Sequence, residues 1–181
     1  MLKNRWFWVA AIASLVLDRL TKMWVEQNFA LTTPPESWTI FPGVLHFTYV
    51  VNTGAAFSLF QGSIWLRWLS LLVSLGLALF AILGPRLILW EAWGYGLLLG
   101  GALGNGIDRF MAGHVVDFLE VRFIKFPVFN IADVAINIGI GCLAIAMIIT
   151  GKKEKAAKNA AKQAQQNATH NSAPHDTNGD S

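Results

Sequence analysis

Four stretches of nearly unbroken apolar residues lie at about 6–25, 64–83, 87–107 and 131–149. Each matches the roughly 20 helical residues that a bilayer crossing takes. The segments between them read differently. Thr32-Thr33-Pro34-Pro35 breaks the chain, and 38–41 and 44–51 then read as strands around Pro42-Gly43. Residues 115–126 are rich in β-branched and aromatic side chains and fit either a short strand or an interfacial helix. From Gly151 the chain turns Lys-, Ala-, Gln- and Asn-rich with no apolar stripe, which predicts a largely disordered tail. The expected architecture is an all-α integral membrane protein. A four-helix transmembrane bundle with a small outward-facing β segment occupies residues 1–150, and a polar cytoplasmic tail occupies 151–181.

Composition narrows the class. Of 181 residues, 54% are hydrophobic and 14% charged, against about 25% charged in an ordinary soluble domain. A nucleic-acid binder and a disordered chain are disfavoured on the same ground. The net charge of +3 is no basic binding face. Residues 1–150 hold nine Lys/Arg against eight Asp/Glu, and the remainder hold five against three. The single cysteine, Cys142, lies in an apolar run, so no disulfide scaffold and no Cys-based zinc site arises. Lys3 and Arg5 before an apolar run, with Ala11-Ile12-Ala13 beyond, imitate a secretory signal. The run ahead of that site is too short and hydrophobicity continues past it, so a retained helix is expected.

Cations set the direction of the spans. Lys3 and Arg5 precede the first, Arg86 separates the second from the third, and five lysines follow the fourth. Excess Lys/Arg marks the cytoplasmic side, so both termini are expected inside and 26–63 and 108–130 outside. Gly96, Gly100 and Gly104 form a double small-xxx-small pattern suited to close helix packing.

Polar residues then recur at helical spacing. Ser14, Asp18 and Lys22 share one face, Asn105, Asp108 and Arg109 a second, and Asn130, Asp133 and Asn137 a third. A carboxylate within a span costs ~2.5–3.5 kcal/mol on insertion scales, so such groups turn toward the bundle interior and a partner. All three stripes sit toward the outer ends, which predicts a wet pocket at the outer leaflet. Asp18 with Lys22, and Asp108 with Arg109, have structural readings as ion pairs. Asp117 and Asp133 have no adjacent cation.

The chemistry follows from what is at hand. The expected pocket has no serine–histidine pairing with a plausible acid, and no HExxH spacing occurs. A metal site from His46 and His114 with aspartates is an alternative. Two aspartates are the economical choice, because close carboxylates share one proton and split acid and base roles. An ion pathway and a non-enzymatic assembly subunit are the rivals. A pathway needs polar groups from face to face, whereas 97–99 and 142–149 are apolar.

Five ordered blocks carry a resemblance. They are Asp18-Arg19-Leu20-Thr21-Lys22, Asn52-Thr53-Gly54-Ala55-Ala56-Phe57-Ser58, and Gly100-Gly101-Ala102-Leu103-Gly104-Asn105-Gly106-Ile107-Asp108-Arg109. Gly113-His114-Val115-Val116-Asp117-Phe118 and Phe129-Asn130-Ile131-Ala132-Asp133 complete the set. Over roughly residues 5–150 the chain resembles the bacterial signal peptidase II family, the lipoprotein signal peptidases. The resemblance implies an aspartyl endopeptidase of the inner membrane that cuts before a diacylglyceryl-modified cysteine, with Asp117 and Asp133 catalytic. Asp18, Lys22, Asn52, Gly54, Asn105, Asp108, Arg109, Asn130 and Asn137 are the expected supporting or substrate-binding positions. Arg19 departs from the glutamine common after the aspartate of the first block. A presenilin-like protease fits less well, since Gly104-Asn105-Gly106-Ile107-Asp108 has one residue too many for its Gly-x-Gly-Asp signature. No cofactor or metal is called for. The expected partners are a diacylated prolipoprotein and membrane lipid, with no nucleic acid, and a monomer is expected.

Overall fold

The computed structural model describes residues 3–54 and 64–171, with side chains described up to 163. These residues form four helices and three strands in the order α1 (Arg5–Asn28), β1 (Ser37–Phe41), β2 (Leu45–Asn52), α2 (Trp65–Leu83), α3 (Leu89–Met111), β3 (Val115–Val121) and α4 (Ile131–Asn171). The chain up to Leu143 forms one compact unit and the chain from Ala144 a second. The two outer strands appear where Pro42-Gly43 divides two alternating runs. The segment after α3, open between strand and helix, is a strand. Residues 55–58 of the Asn52–Ser58 motif lie outside the described residues.

Among the described residues two helices are long and apolar enough to cross a membrane, Trp65–Leu83 and Ile131–Gln163, with mean hydropathies of 2.1 and 2.2. The other two are diluted by polar residues: Asp18, Arg19 and Lys22 in α1, and Asn105, Asp108, Arg109 and a run of glycines in α3. The fourth apolar stretch, 131–149, is the first part of a longer helix, since α4 continues to Asn171. Alanine, lysine and glutamine are strong helix formers, and the segment lacks proline until Pro174. Helix propensity needs no apolar stripe, so the polar composition that predicted a largely disordered tail did not prevent a helix through 171.

Helix α3 lies at the centre of the first unit because its glycines let neighbours approach. A Cβ on Gly96 would strike Phe7 and Ala10, one on Gly100 would strike Ala11 and Ser14, and one on Gly104 would strike Asp18. The small-xxx-small stripe is therefore the seam with α1. Gly101 faces Ala132 and Ile136 of α4, and Gly106 faces Ser70 of α2. Phe7, Ala11, Ala81, Ala92 and Leu99 fill the core at the N-terminal end of α1.

At the other end of α1, Val25 and Phe29 pack with Tyr49, Val116 and Phe118 and join the helix to the sheet. The sheet is antiparallel in the order β1-β2-β3. Between Phe47 and Val50 the register slips by one residue, which sets Asp117 opposite Val50. Such a bulge turns side chains to a new direction. Beyond β3 the chain folds back, and Phe129 exchanges backbone hydrogen bonds with Leu119 at 2.7 and 3.0 Å. That pairing holds the start of α4 against β3, and it is what brings Asp133 near Asp117.

Candidate active site

Asp117 projects from β3 and is 2% exposed. Its Oδ1 accepts a hydrogen bond from Asn130 Nδ2 at 2.6 Å, and its Oδ2 accepts one from Asn52 Nδ2 at 2.9 Å. Asn52 is held from behind, since its Oδ1 accepts the Gly54 N–H at 2.9 Å. Burial pushes the Asp117 carboxyl up to about 7. The negative charge of Asp133 adds to the rise, while the bonds from Asn52 and Asn130 and the charge of Lys22 oppose it.

Asp133 occupies the first turn of α4 and is half-buried. Its Oδ1 accepts from Asn105 Nδ2 at 2.9 Å and its Oδ2 from the Asn130 backbone N–H at 3.3 Å. In return its own N–H donates to Asn130 Oδ1 at 3.0 Å. This is a reciprocal cap of the helix N-terminus, in which Asn130 leads and Asp133 follows three residues later. Asn130, wholly buried, thus serves both carboxylates, and its Nδ2 also lies 3.0 Å from Asn105 Oδ1.

Behind the amides sits Lys22, fully buried on α1. Its Nζ lies 2.9 Å from Asp18 Oδ2, 2.7 Å from Asp108 Oδ2 and 2.9 Å from Asn105 Oδ1. The ammonium thus donates to Asn105 Oδ1 and is balanced in charge by two carboxylates. Asp18 Oδ1 also accepts the Ala132 N–H at 2.9 Å, which ties α1 to the first turn of α4. Asp108 is neutralised from α1 by Lys22 and Arg19, not by the adjacent Arg109. The Asp18–Lys22 pair expected from spacing is present; the Asp108–Arg109 pair is not among the ion pairs of the described residues.

Arg109 instead reaches across to the end of β2 and donates to the Gly54 carbonyl at 3.0 Å. Asn137 lies one turn beyond Asp133, is exposed, and donates to the Asp133 carbonyl at 2.9 Å. Asn52, Asn105, Arg109, Asp117, Asp133 and Asn137 all border one cavity of about 780 Å³. Its remaining wall is mostly apolar, with Val50, Val51, Phe129, Val134 and Ile138 among its residues. Spacing did not single out this apolar wall, because it joins the bulged end of β2 and the loop before α4 to residues of α4. Neither His46 nor His114 borders the cavity. His46 meets Ser37 and Thr39 within the sheet. Among the described residues no group of three or more His, Cys, Asp or Glu is placed to hold a metal ion.

The fold is similar to that of two solved bacterial membrane enzymes, one with a TM-score of 0.71 at 30% identity over 77% of this chain and 85% of that one. The second has a TM-score of 0.68 at 30% identity, over 77% of this chain and 90% of that one. A lipoprotein signal peptidase of Thermosynechococcus vestitus is 67% identical over 78% of this chain and 90% of its own length. That of Gloeobacter violaceus is 56% identical over 89% and 92%. The model of the family described as signal peptidase (SPase) II matches residues 10–149. The chain belongs to the signal peptidase II family, and with it to the membrane proteases.

Proposed function

We propose that this chain is an aspartyl endopeptidase that removes the signal peptide from diacylglyceryl-modified prolipoproteins, cutting just before the lipidated cysteine. The observation that carries the reading is that Asp117 and Asp133 border one cavity and are linked through Asn130. Two carboxylates so coupled hold one proton between them. The ionised member takes a proton from water as it attacks the peptide carbonyl. The protonated member donates to the carbonyl oxygen, and the dyad then returns a proton to the leaving amine. Asn52, Asn105 and Asn130 orient the pair. Arg109, tied to Gly54, holds the cavity rim, and Asn137 lies within reach of bound peptide.

All four helices span the inner membrane in this reading. On α1 the side chains of Ile12, Val16, Leu17 and Leu20 are exposed, while Asp18 and Lys22 are fully buried. A helix that turns its apolar side out and its charges in is suited to lipid. Lys3, Arg5, Arg86 and the lysines from 152 on place both termini in the cytoplasm by the positive-inside rule. The site then lies near the outer leaflet, where the acyl chains of a lipidated cysteine rest. Residues 1–150 form the peptidase domain, 151–181 are a cytoplasmic appendage, and the enzyme acts as a monomer.

The test is cleavage of a diacylated prolipoprotein and its unlipidated twin by the purified protein in detergent. Cleavage of the first alone is expected, abolished by Asp117→Asn and by Asp133→Asn. Wild-type rates in either folded variant would sink the dyad. Chelators are expected to leave the rate unchanged, since neither His46 nor His114 borders the cavity.

A further inference from the structure

We infer that the two aspartates are not interchangeable: Asp133 enters the reaction ionised and takes the proton of the attacking water, Asp117 enters protonated, and Lys22 fixes this division through the amide of Asn105. The inference rests on the aspartyl-peptidase reading and goes beyond it, because a dyad could carry its proton on either member.

The argument begins at Lys22. An ammonium only donates, and Asn105 Oδ1 accepts from it at 2.9 Å. Asn105 must therefore keep its oxygen toward Lys22 and its NH₂ toward Asp133 Oδ1, at 2.9 Å. A flipped amide would set NH₂ against ammonium and oxygen against carboxylate, two repulsive contacts in a buried place. Asp18 and Asp108 hold Lys22 in position at 2.9 and 2.7 Å. Asp133 thus faces a permanently oriented donor. It also sits in the first turn of α4, where its Oδ2 accepts the Asn130 N–H and the helix macrodipole favours an anion.

Asp117 receives two amide hydrogens as well, so donors alone do not divide the pair. Position does. Asp117 lies on a strand, without a helix terminus, and is 2% exposed where Asp133 is half-buried. The less solvated carboxyl is the one that keeps a proton. The charged groups that act on Asp117 are Asp133 of α4 and Lys22 of α1. Arg109 of α3 acts on both aspartates, on Asp133 more than on Asp117, which favours the charge on Asp133. Asp18, Asp108 and Arg19 are engaged in the ion pairs about Lys22.

The proton count closes. Water gives one proton to Asp133 as its oxygen bonds to the peptide carbon. The carbonyl π pair moves to oxygen, which takes the proton of Asp117 and leaves a neutral gem-diol. On collapse Asp133 protonates the amide nitrogen, Asp117 takes back a hydroxyl proton and the C–N bond breaks. Acid and amine leave with the dyad in its starting state. Lys22 and Asn105 touch no reacting atom, and they are positioning residues.

The pH profile of kcat/KM for the diacylated prolipoprotein reads this division. Its rising limb reports the base and its falling limb the acid. Asn105→Leu removes a donor from Asp133 and is expected to move the rising limb up by about one pH unit, leaving the falling limb in place. Lys22→Met should also move the rising limb up, and the falling limb with it, because the Lys22 charge acts on Asp117 as well. Asn52→Leu removes a donor from Asp117 and should move only the falling limb upward. A shift of the falling limb by Asn105→Leu, or a rising limb left in place by Asn105→Leu or Lys22→Met, would overturn the assignment. Carbon-13 NMR of the aspartate-labelled wild-type protein in micelles needs no active variant. At pH 6 the signal missing in Asp117→Asn should be that of a protonated carboxyl and the one missing in Asp133→Asn that of a carboxylate; the reverse overturns the inference. Full activity of Asp117→Asn or Asp133→Asn would instead remove the peptidase reading beneath it.

Discussion

Asn130 and Asp133 cap one another: Oδ1 of Asn130 accepts the Asp133 N–H at 3.0 Å, and Oδ2 of Asp133 accepts the Asn130 N–H at 3.3 Å. The same Asn130 donates to Asp117 at 2.6 Å. One residue therefore starts α4, fixes Asp133 within its first turn and touches the other carboxyl.

These duties separate by substitution. Asn130→Asp keeps an oxygen for the cap and loses the donor to Asp117, so the fold should survive while cleavage falls at least a hundredfold. Asn130→Ala loses both, and a missing cap costs a further ~0.5–2 kcal/mol. Thermal unfolding in detergent beside a cleavage assay checks the split. Equal melting temperatures for the two variants would mean that the cap contributes nothing.

Among the described residues Lys22 is the cation common to Asp18 and Asp108. Lys22→Met would strand Asp18, while Asp108 keeps Arg19, and breaking a buried pair from one side costs about 3–5 kcal/mol. Adding Asp18→Asn should restore part of the loss, because the stranded charge goes. A double variant less stable than Lys22→Met would argue against the ion pair as the source.

Arg19 gives the opposite expectation. It also pairs with Asp108, but its side chain is 29% exposed, and exposed pairs contribute about 0–1 kcal/mol. Arg19→Gln should leave the melting temperature nearly unchanged and cleavage within a few-fold, since Lys22 still neutralises Asp108 at 2.7 Å. A loss comparable with that of Lys22→Met would show that Arg19 does more than balance charge at the rim.

How far these features are legible in the chain depends on whether they are local. Lys22 falls four residues after Asp18, and Asp133 three after Asn130, so helical period alone sets each pair on one face. Gly96, Gly100 and Gly104 likewise mark a packing seam by spacing, though not that its partner is α1. What spacing cannot carry is the choice among distant partners. Asp108 has a cation beside it at Arg109, yet it pairs with Lys22 and Arg19 because the glycine seam brings α1 close. The bulge that sets Asp117 opposite Val50 is likewise a property of two paired strands. The tail helix to Asn171 was open to a propensity argument, and an apolar pattern was the wrong signal for it.

Asp117 also predicts how stability follows pH. Its carboxyl is pushed from 3.8 up to about 7, chiefly by burial. Above pH ~4 an unfolded aspartate has lost its proton, whereas the folded site still holds one. The stabilising contribution is whole below that point and is lost as pH rises through about 7. Asp117→Asn removes the dependence, so its melting temperature should gain on the wild type between pH 5 and pH 8. A gap that stays constant across that range would mean that Asp117 is already ionised in the fold.

The glycine seam makes the last prediction, and Gly104 is its most telling position. A Cβ there would collide with the carboxylate of Asp18 and come within 3.4 Å of Ala132. Asp18 has no room to yield, because it is fully buried between Lys22 and the Ala132 N–H. Gly104→Ala should therefore cost about 1–3 kcal/mol, the range for overpacking a filled core, and slow cleavage by shifting the first turn of α4. Gly141 supplies the control, since a Cβ on it meets nothing within 4 Å. There alanine should stabilise by about 0.5–1 kcal/mol through helix propensity alone. Opposite signs for the two variants in melting temperature are expected. Equal signs would mean that the tight approach of α1 to α3 is not what holds Asp18 in place.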